Sequence, residues 1–176
     1  MRMRLPFSVC FLTTFLCSWF FSSSQDIHFT VVPRSQDDIG FVIAGMTQDA
    51  QGFLWLATQN GLYKYDGHQY TSYHHELSNP NSPADDNIWS IAADKAGYIW
   101  LAPAGTGLDR FDPATGIFTH LRHKNNDPGS LGNDTVVTIM QDREGTLWIG
   151  TLGGLDRLDS KSNKFLHYRN NANDPS

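Results

Sequence analysis

Residues 141–159 read QDREGTLWIGTLGGLDRLD, and this stretch decides the fold. Asp142 and Gly145 frame a four-residue turn, because Asp accepts backbone N–H groups and Gly tolerates a positive φ. The apolar run around Trp148 predicts a buried strand. The Gly-Gly pair ending at Gly154 is a hairpin-turn signal, and the alternating LDRL after it predicts another strand.

The same pattern occurs twice more towards the N-terminus. The three tryptophans are separated by 45 and 48 residues, and the turn Asp and Gly keep the same two steps. Three residue types that share one period indicate internal repeats. The repeated positions are Asp49, Gly52, Trp55 and Gly61, then Asp94, Gly97, Trp100 and Gly107, then Asp142, Gly145, Trp148 and Gly154.

Each repeat predicts four antiparallel strands. A short strand ends at the Asp, the tryptophan strand and the alternating strand follow, and Tyr70, Phe118 and Phe165 mark a fourth strand. Four short strands in about 40–50 residues are typical of a β-propeller blade, whereas helical repeats need long stretches of 3.6-residue periodicity. We therefore predict an all-β protein with three four-stranded blades of an incomplete ring, in which each tryptophan packs between neighbouring blade sheets.

The N-terminus predicts export. Arg2 and Arg4 precede an uncharged, mostly apolar run from Leu5 to Phe21, and small residues follow up to Ser24, as in a secretory signal peptide. An uncleaved membrane anchor is the alternative, although the run is short for a membrane span. The predicted organisation is a signal peptide (1–24), a lead-in segment (25–42) and three blade repeats (43–87, 88–135 and 136–176).

Composition and charge exclude several functions. The 176 residues carry 13 Lys and Arg against 18 Asp and Glu, a net charge of −5 without a basic cluster, which argues against nucleic acid as a partner. Both cysteines, Cys10 and Cys17, lie within the predicted signal peptide. The mature chain therefore offers no disulfide, no cysteine zinc site and no thiol nucleophile.

The repeats resemble the two-component-regulator propeller family. Residues 141–159 resemble its repeat, and QDAQGFLWLATQNGLYKYDG from Gln48 to Gly67 resembles an opening blade. The second repeat departs from the pattern, with one extra residue between Trp100 and Leu108. The resemblance implies the N-terminal periplasmic part of a longer Gram-negative sensor, whose absent C-terminal part would supply a membrane helix and a histidine kinase or diguanylate cyclase.

The sequence contains no recognisable catalytic or metal-binding motif. Five histidines (His74, His75, His120, His123 and His167) fall on or after the outermost strands, and we interpret them as surface polar residues. The turn aspartates supply one carboxylate each, too few for calcium. We interpret Asp109-Arg110 and Asp156-Arg157 as solvated pairs. We therefore expect no catalytic residue, no metal ion and no cofactor.

Ligand binding is predicted at the loops that join the blades. These loops are rich in Asn and Asp, which can bind sugar hydroxyls, and an aromatic side chain lies beside the first of them. The candidate ligand-binding residues are Asn60, Asn87, Trp89 and Asn133. A glycan or another small extracellular ligand is the class that the family resemblance implies. The alternative role of these Asn residues is to stabilise turns.

Two other functions stay open at this point. The chain could be a free-standing secreted module whose copies associate to complete a propeller, so that the partner is either the missing blades of a parent protein or another copy. A propeller-fold polysaccharide lyase or glycosidase is a further alternative, but it requires an acid/base pair that the sequence does not show.

Overall fold

The computed structural model describes residues 42–170, and these form twelve β-strands and no helix. The strands are β1 (Ile43–Gln48), β2 (Leu54–Thr58), β3 (Gly61–Tyr65), β4 (Tyr70–Tyr73), β5 (Ile88–Ala93), β6 (Ile99–Pro103), β7 (Leu108–Asp112), β8 (Ile117–Leu121), β9 (Val136–Gln141), β10 (Leu147–Thr151), β11 (Gly154–Asp159) and β12 (Lys164–Tyr168). The predicted signal peptide and residues 25–41 of the predicted lead-in lie outside the described residues.

The strands form three four-stranded antiparallel sheets in simple sequence order, β1–β4, β5–β8 and β9–β12. We call them blades 1, 2 and 3. The first strands of the blades, β1, β5 and β9, lie next to one another, so they are the inner strands. The prediction of an all-β propeller with three four-stranded blades is confirmed. The predicted repeat limits, 87/88 and 135/136, lie directly before β5 and β9.

The tryptophans pack as predicted between neighbouring blades at the two interfaces that the described residues form. Trp55 is fully buried and meets the Phe111 ring of blade 2 edge-on, with 5.7 Å between ring centroids. Trp100 is buried in a cluster that includes Ile149 and Leu158 of blade 3. The tryptophan-bearing side of each blade is called its Trp face. Blades 1 and 2 bury this face against the next blade.

The Asp and Trp that recur in each repeat form one hydrogen-bonded unit. Asp49 Oδ2 accepts the Trp55 indole N–H at 2.7 Å, while its Oδ1 accepts the backbone N–H groups of Gln51 and Phe53. The same indole-to-carboxylate bond recurs in blades 2 and 3, from Trp100 to Asp94 at 2.7 Å and from Trp148 to Asp142 at 2.8 Å. The carboxylate thus closes the turn and fixes the orientation of the interblade ring.

The hairpin between the second and third strands explains why blade 2 departs from the repeat. In blade 1 the Thr58 hydroxyl donates to the Gly61 carbonyl and accepts the Asn60 N–H. Thr151 does the same in blade 3. Blade 2 has Pro103 at this position, and the longer turn contains Gly105 with φ 65°. The extra residue is therefore absorbed in the turn, and the register of β6 with β7 continues to Leu101 opposite Asp109.

Candidate functional site

The candidate ligand-binding residues lie at one end of the blades, which we call the loop end. It consists of the interblade loops 74–87 and 122–135 together with the turns after β2, β6 and β10. The first loop bridges two blades, because its Asp86 carbonyl accepts the Gly61 N–H at 2.7 Å and its Asn87 carbonyl accepts the Ala104 N–H at 2.8 Å. Each loop is therefore part of the seam between two blades.

Two of the four candidate side chains are engaged within the fold. Asn60 Nδ2 donates to the Tyr63 hydroxyl at 3.3 Å, and Asn133 Oδ1 accepts the Thr135 N–H at 2.8 Å. Asn87 is held by its backbone, whose N–H donates to Asp85 Oδ1. Trp89, two residues further on, is 41% exposed. The structure therefore leaves Trp89, with Asn87 beside it in sequence, as the open part of the predicted site.

A β-bulge in the inner strand explains the exposure of Trp89. The register of β5 with β6 shifts between Ile88 and Ile91, so one residue more lies on the inner strand than on its partner. Equivalent shifts occur in β1 and β9 and include Ala44 and Val137. All three side chains are exposed, Val137 to 49%. The bulges thus present one outward side chain per inner strand near the loop end, and only blade 2 has an aromatic residue there.

The interpretation of Asp109 and Asp156 as partners in solvated Asp-Arg pairs is wrong. Asp109 is fully buried, and its Oδ1 lies 2.7 Å from His120 Nδ1 on the adjacent strand. Its Oδ2 accepts the Ala84 N–H from the interblade loop at 2.8 Å, and His120 Nε2 lies 3.1 Å from the Pro80 carbonyl. We call this arrangement a loop clamp, because the pair on blade 2 holds the loop that arrives from blade 1.

Blade 3 contains a second loop clamp. Asp156, 2% exposed, pairs with His167 Nδ1 at 2.7 Å and accepts the Gly132 N–H at 2.6 Å. His167 Nε2 lies 3.0 Å from the Pro128 carbonyl of loop 122–135. His120 and His167, interpreted as surface polar residues, have side chains that are 27% and 22% exposed, and both also hold an interblade loop. The shared spacing of 11 residues between Asp and His is a sequence signal that could have revealed both clamps.

The clamp geometry determines the charge of the histidine. Both ring nitrogens of His120 face acceptors, a carboxylate and a carbonyl, and both can donate only in the imidazolium form. The hydrogen bond to Asp109 accordingly raises the pKa of His120, while burial and the nearby Arg122 charge oppose the shift. The His120 clamp is a partly buried ion pair whose three hydrogen bonds all lie within the fold.

His75 and His123 join the loops in a related way. His75 Nδ1 lies 2.7 Å from the Pro83 carbonyl, and its backbone N–H donates to Asp86. His123 makes the same two contacts with Leu131 and Asp134. These residues stabilise the loops from within. Among residues 42–170, no group of three or more His, Cys, Asp or Glu side chains could hold a metal ion.

Comparison with known proteins identifies the repeat. The two component regulator propeller family model matches residues 130–153. The extracellular domain of the hybrid two component system BT3049 from B. thetaiotaomicron is 31% identical, with a TM-score of 0.68 over 74% of this chain. The chain contains two-component-regulator propeller repeats. These propeller repeats span 18% of the length of the BT3049 domain.

Two other solved structures are similar to this chain at lower identity. A catalytically inactive virginiamycin B lyase from Staphylococcus aureus is 17% identical, with a TM-score of 0.54, and the match covers 72% of this chain and 40% of the lyase. The extracellular domain of the BT4673 hybrid system from B. thetaiotaomicron is 22% identical over 72% of this chain and 23% of its own length, with a TM-score of 0.39. A search of curated proteins finds no match. The lyase comparison shows only the shared fold.

In the described part of the chain, no helix has the length and hydropathy to cross a membrane.

Proposed function

We propose that the chain is a non-catalytic, ligand-sensing segment of an exported two-component-type sensor. The observation that carries this proposal is the 31% identity to the extracellular domain of the BT3049 system, over 74% of this chain. The proposed location is the periplasm or cell envelope of a Gram-negative bacterium, in agreement with the signal-like N-terminus. The output that we propose for such a sensor is a histidine kinase or a diguanylate cyclase.

The proposed ligand surface is centred on Trp89 at the loop end. An exposed indole offers an apolar face for the C–H surface of a sugar ring, and a neighbouring carboxamide such as Asn87 can both donate to and accept from hydroxyl groups. The bulge in β5 directs Trp89 outward, so its exposure does not reduce the apolar packing between the blades. A glycan fragment is the ligand class that we propose.

Titration with neutral and uronic-acid oligosaccharides tests this surface, with binding measured by isothermal titration calorimetry. Trp89→Ala should weaken binding by about tenfold or more, the loss expected for one stacked ring. Ile117→Ala is the matched control, because Ile117 is 48% exposed on the outer strand β8. Equal affinity of the wild type and Trp89→Ala would exclude the loop-end surface.

Contact with a further propeller blade is the second part of the proposal. Trp148 lies on the Trp face of blade 3, and its ring contacts Tyr168 of the same blade at 5.7 Å between centroids. Leu155 and Tyr168 remain 41% and 44% exposed. Their counterparts in blades 1 and 2 are covered by the next blade. We propose that a further blade, from a parent protein or another copy, covers this face.

A further inference from the structure

The two grooves between neighbouring blades differ in size and chemistry. Both open at the end opposite the loop end, beside the Asp-x-x-Gly turns. Groove 1–2 lies between blades 1 and 2 and has a volume of about 320 Å³, whereas groove 2–3, between blades 2 and 3, has about 590 Å³. Both volumes fall in the range of about 300–1,000 Å³ for small-molecule sites, with groove 1–2 at its lower limit. Equivalent positions of the repeat line both grooves. Groove 1–2 therefore shows which side chains are compatible with the packing of one blade on the next.

Groove 2–3 differs from groove 1–2 in polarity at several equivalent positions, most of them more polar in groove 2–3, although Ala96 replaces Gln51. Tyr98 replaces Phe53, and Arg110 replaces Lys64 on the Trp face of the earlier blade. On the later blade, Glu144 stands where groove 1–2 has Ala96, and Ser160 stands where it has Pro113. Groove 1–2 shows that the smaller or less polar set is compatible with blade packing. The added hydroxyls, carboxylate and guanidinium therefore exceed what the fold needs.

Arg110 is positioned to meet a ligand. Its guanidinium lies 4.7 Å from the centre of the Tyr98 ring and 5.9 Å from that of Trp100, so the aromatic wall fixes its plane. Within residues 42–170 the guanidinium donates no hydrogen bond, although its charge acts on the Asp112 carboxylate two residues further along β7. Its five N–H groups are therefore available to a ligand. In groove 1–2, Lys64 lies 3.7 Å above the Phe53 ring and offers only a single ammonium group.

The charges around groove 2–3 indicate the ligand class. Two arginines, Arg110 and Arg157, line the groove together with three carboxylates, those of Asp94, Glu144 and Asp159. An anion and a cation would therefore each meet a like charge. A neutral molecule with many hydroxyl groups can donate to the carboxylates and accept from the guanidinium at once. We infer that groove 2–3 is a second ligand site, which binds a neutral oligosaccharide through Arg110, Glu144 and Tyr98. This inference deepens the proposed function, because it names a site and class for the sensed ligand.

The repeat supplies the variants that test the site. Tyr98→Phe, Arg110→Lys and Glu144→Ala together install in groove 2–3 the residues of groove 1–2, so the fold already accommodates each of them. The control is Phe53→Tyr with Lys64→Arg, the reverse exchange in groove 1–2. The probes are neutral di-, tri- and tetrasaccharides of glucose, xylose, mannose, arabinose and galactose, titrated calorimetrically into the purified chain. Thermal unfolding verifies that each variant is folded.

We expect the triple variant to weaken binding by about tenfold or more and the control to leave it unchanged. If the triple variant fails to fold, Glu144→Ala alone serves, since Glu144 is exposed on a turn. Unchanged affinity in these variants, or no binding by any probe, overturns the groove site. Loss of binding in Trp89→Ala alone also overturns it but keeps the loop-end surface. Loss in the groove variant alone keeps the groove and excludes the loop end.

Discussion

The turn aspartate of each repeat combines three roles in one carboxylate. Asp49 accepts two backbone N–H groups and the indole N–H of Trp55, and it is only 9% exposed. In blade 3, the hydrogen bond from Trp148 is the main cause of a lowered pKa of Asp142. The Asp142 carboxylate is therefore favoured in its charged form, and the orientation of the Trp148 ring depends on it.

Replacement of Asp49 should destabilise the chain more than replacement of its neighbours. Asp49→Ala leaves the buried Trp55 N–H without an acceptor, and we expect the free energy of unfolding to fall by about 2–3 kcal/mol. Gln51→Ala is the control, because Gln51 uses only its backbone N–H, and its effect should stay within about 0.5 kcal/mol. Urea unfolding followed by tryptophan fluorescence measures both. Equal effects would show that the indole bond is dispensable.

His120 should make stability depend on pH. Because its pKa is raised in the folded chain, the clamp stabilises fully below the ordinary His pKa of about 6.5 and is lost as pH rises through the raised value. The free energy of unfolding should therefore fall with rising pH across that window. His120→Gln should reduce this slope, whereas His68→Gln, in an exposed turn, should not. A slope that His120→Gln leaves unchanged would contradict the charged clamp.

At the level of single residues, the sequence predicts the repeated Asp, Gly and Trp positions but not the loop clamps. Repetition reveals Asp94 and Trp100 because all three blades share them. Asp109 and His120 lie on different strands and act on a loop 25 to 40 residues away, so only tertiary structure shows their burial. Blade 1 has Tyr63 in place of the clamp aspartate, which further hides the pattern.

The turn glycines of the hairpins differ in how strictly they are required. Gly107 has φ 94°, and a Cβ there would lie 2.5 Å from the Leu121 carbonyl oxygen. Gly105 has φ 65° and no atom within 4 Å of such a Cβ. The first position combines strain with a backbone clash, while the second carries only conformational strain.

Two alanine substitutions separate these effects. We expect Gly107→Ala to lower the free energy of unfolding by about 2–3 kcal/mol and Gly105→Ala by about 1 kcal/mol. Chemical denaturation of both variants under one set of conditions provides the comparison. A Gly107→Ala variant as stable as Gly105→Ala would mean that β7 and β8 shift to relieve the contact.

The strands themselves were predictable because each combines a turn signal with an apolar run. The strand predicted around each tryptophan is observed, for example Ile99–Pro103 around Trp100. The inner-strand bulges were not predictable, since an extra residue on one strand leaves no mark in composition or periodicity. These bulges determine the exposure of Trp89. The sequence could therefore name the four candidate ligand-binding residues, but it could not show which of them is exposed.

At the scale of the whole molecule, the described residues leave the Trp face of blade 3 partly exposed. Leu155 and Leu166 are 41% and 48% exposed, and Tyr168 lies beside them. Contiguous exposed apolar side chains on a sheet favour association. In the two preceding blades, the counterparts of Leu155, which are Leu62 and Leu108, are fully buried.

The chain alone should therefore associate through blade 3. We expect Leu155→Lys with Leu166→Lys to raise solubility and reduce the apparent mass measured by size-exclusion chromatography with light scattering. Leu77→Lys is the control, because Leu77 is 98% exposed in an interblade loop and lies outside this face. A wild-type chain that stays monomeric at every concentration and unfolds cooperatively would contradict this expectation.

The loop clamps also determine where fusion junctions should lie when a blade is transferred between propellers. Loop 74–87 follows blade 1 in the chain, yet Asp109 and His120 of blade 2 hold it in place. If blade 2 were transferred with a junction at 87/88, it would lack loop 74–87. The buried Asp109 carboxylate would then lose the Ala84 N–H that it accepts. A junction directly after Tyr73 keeps carboxylate and peptide together. The unit to transfer in blade grafting is therefore residues 74–121, which begins before the sheet of blade 2 (β5–β8) and includes the preceding loop.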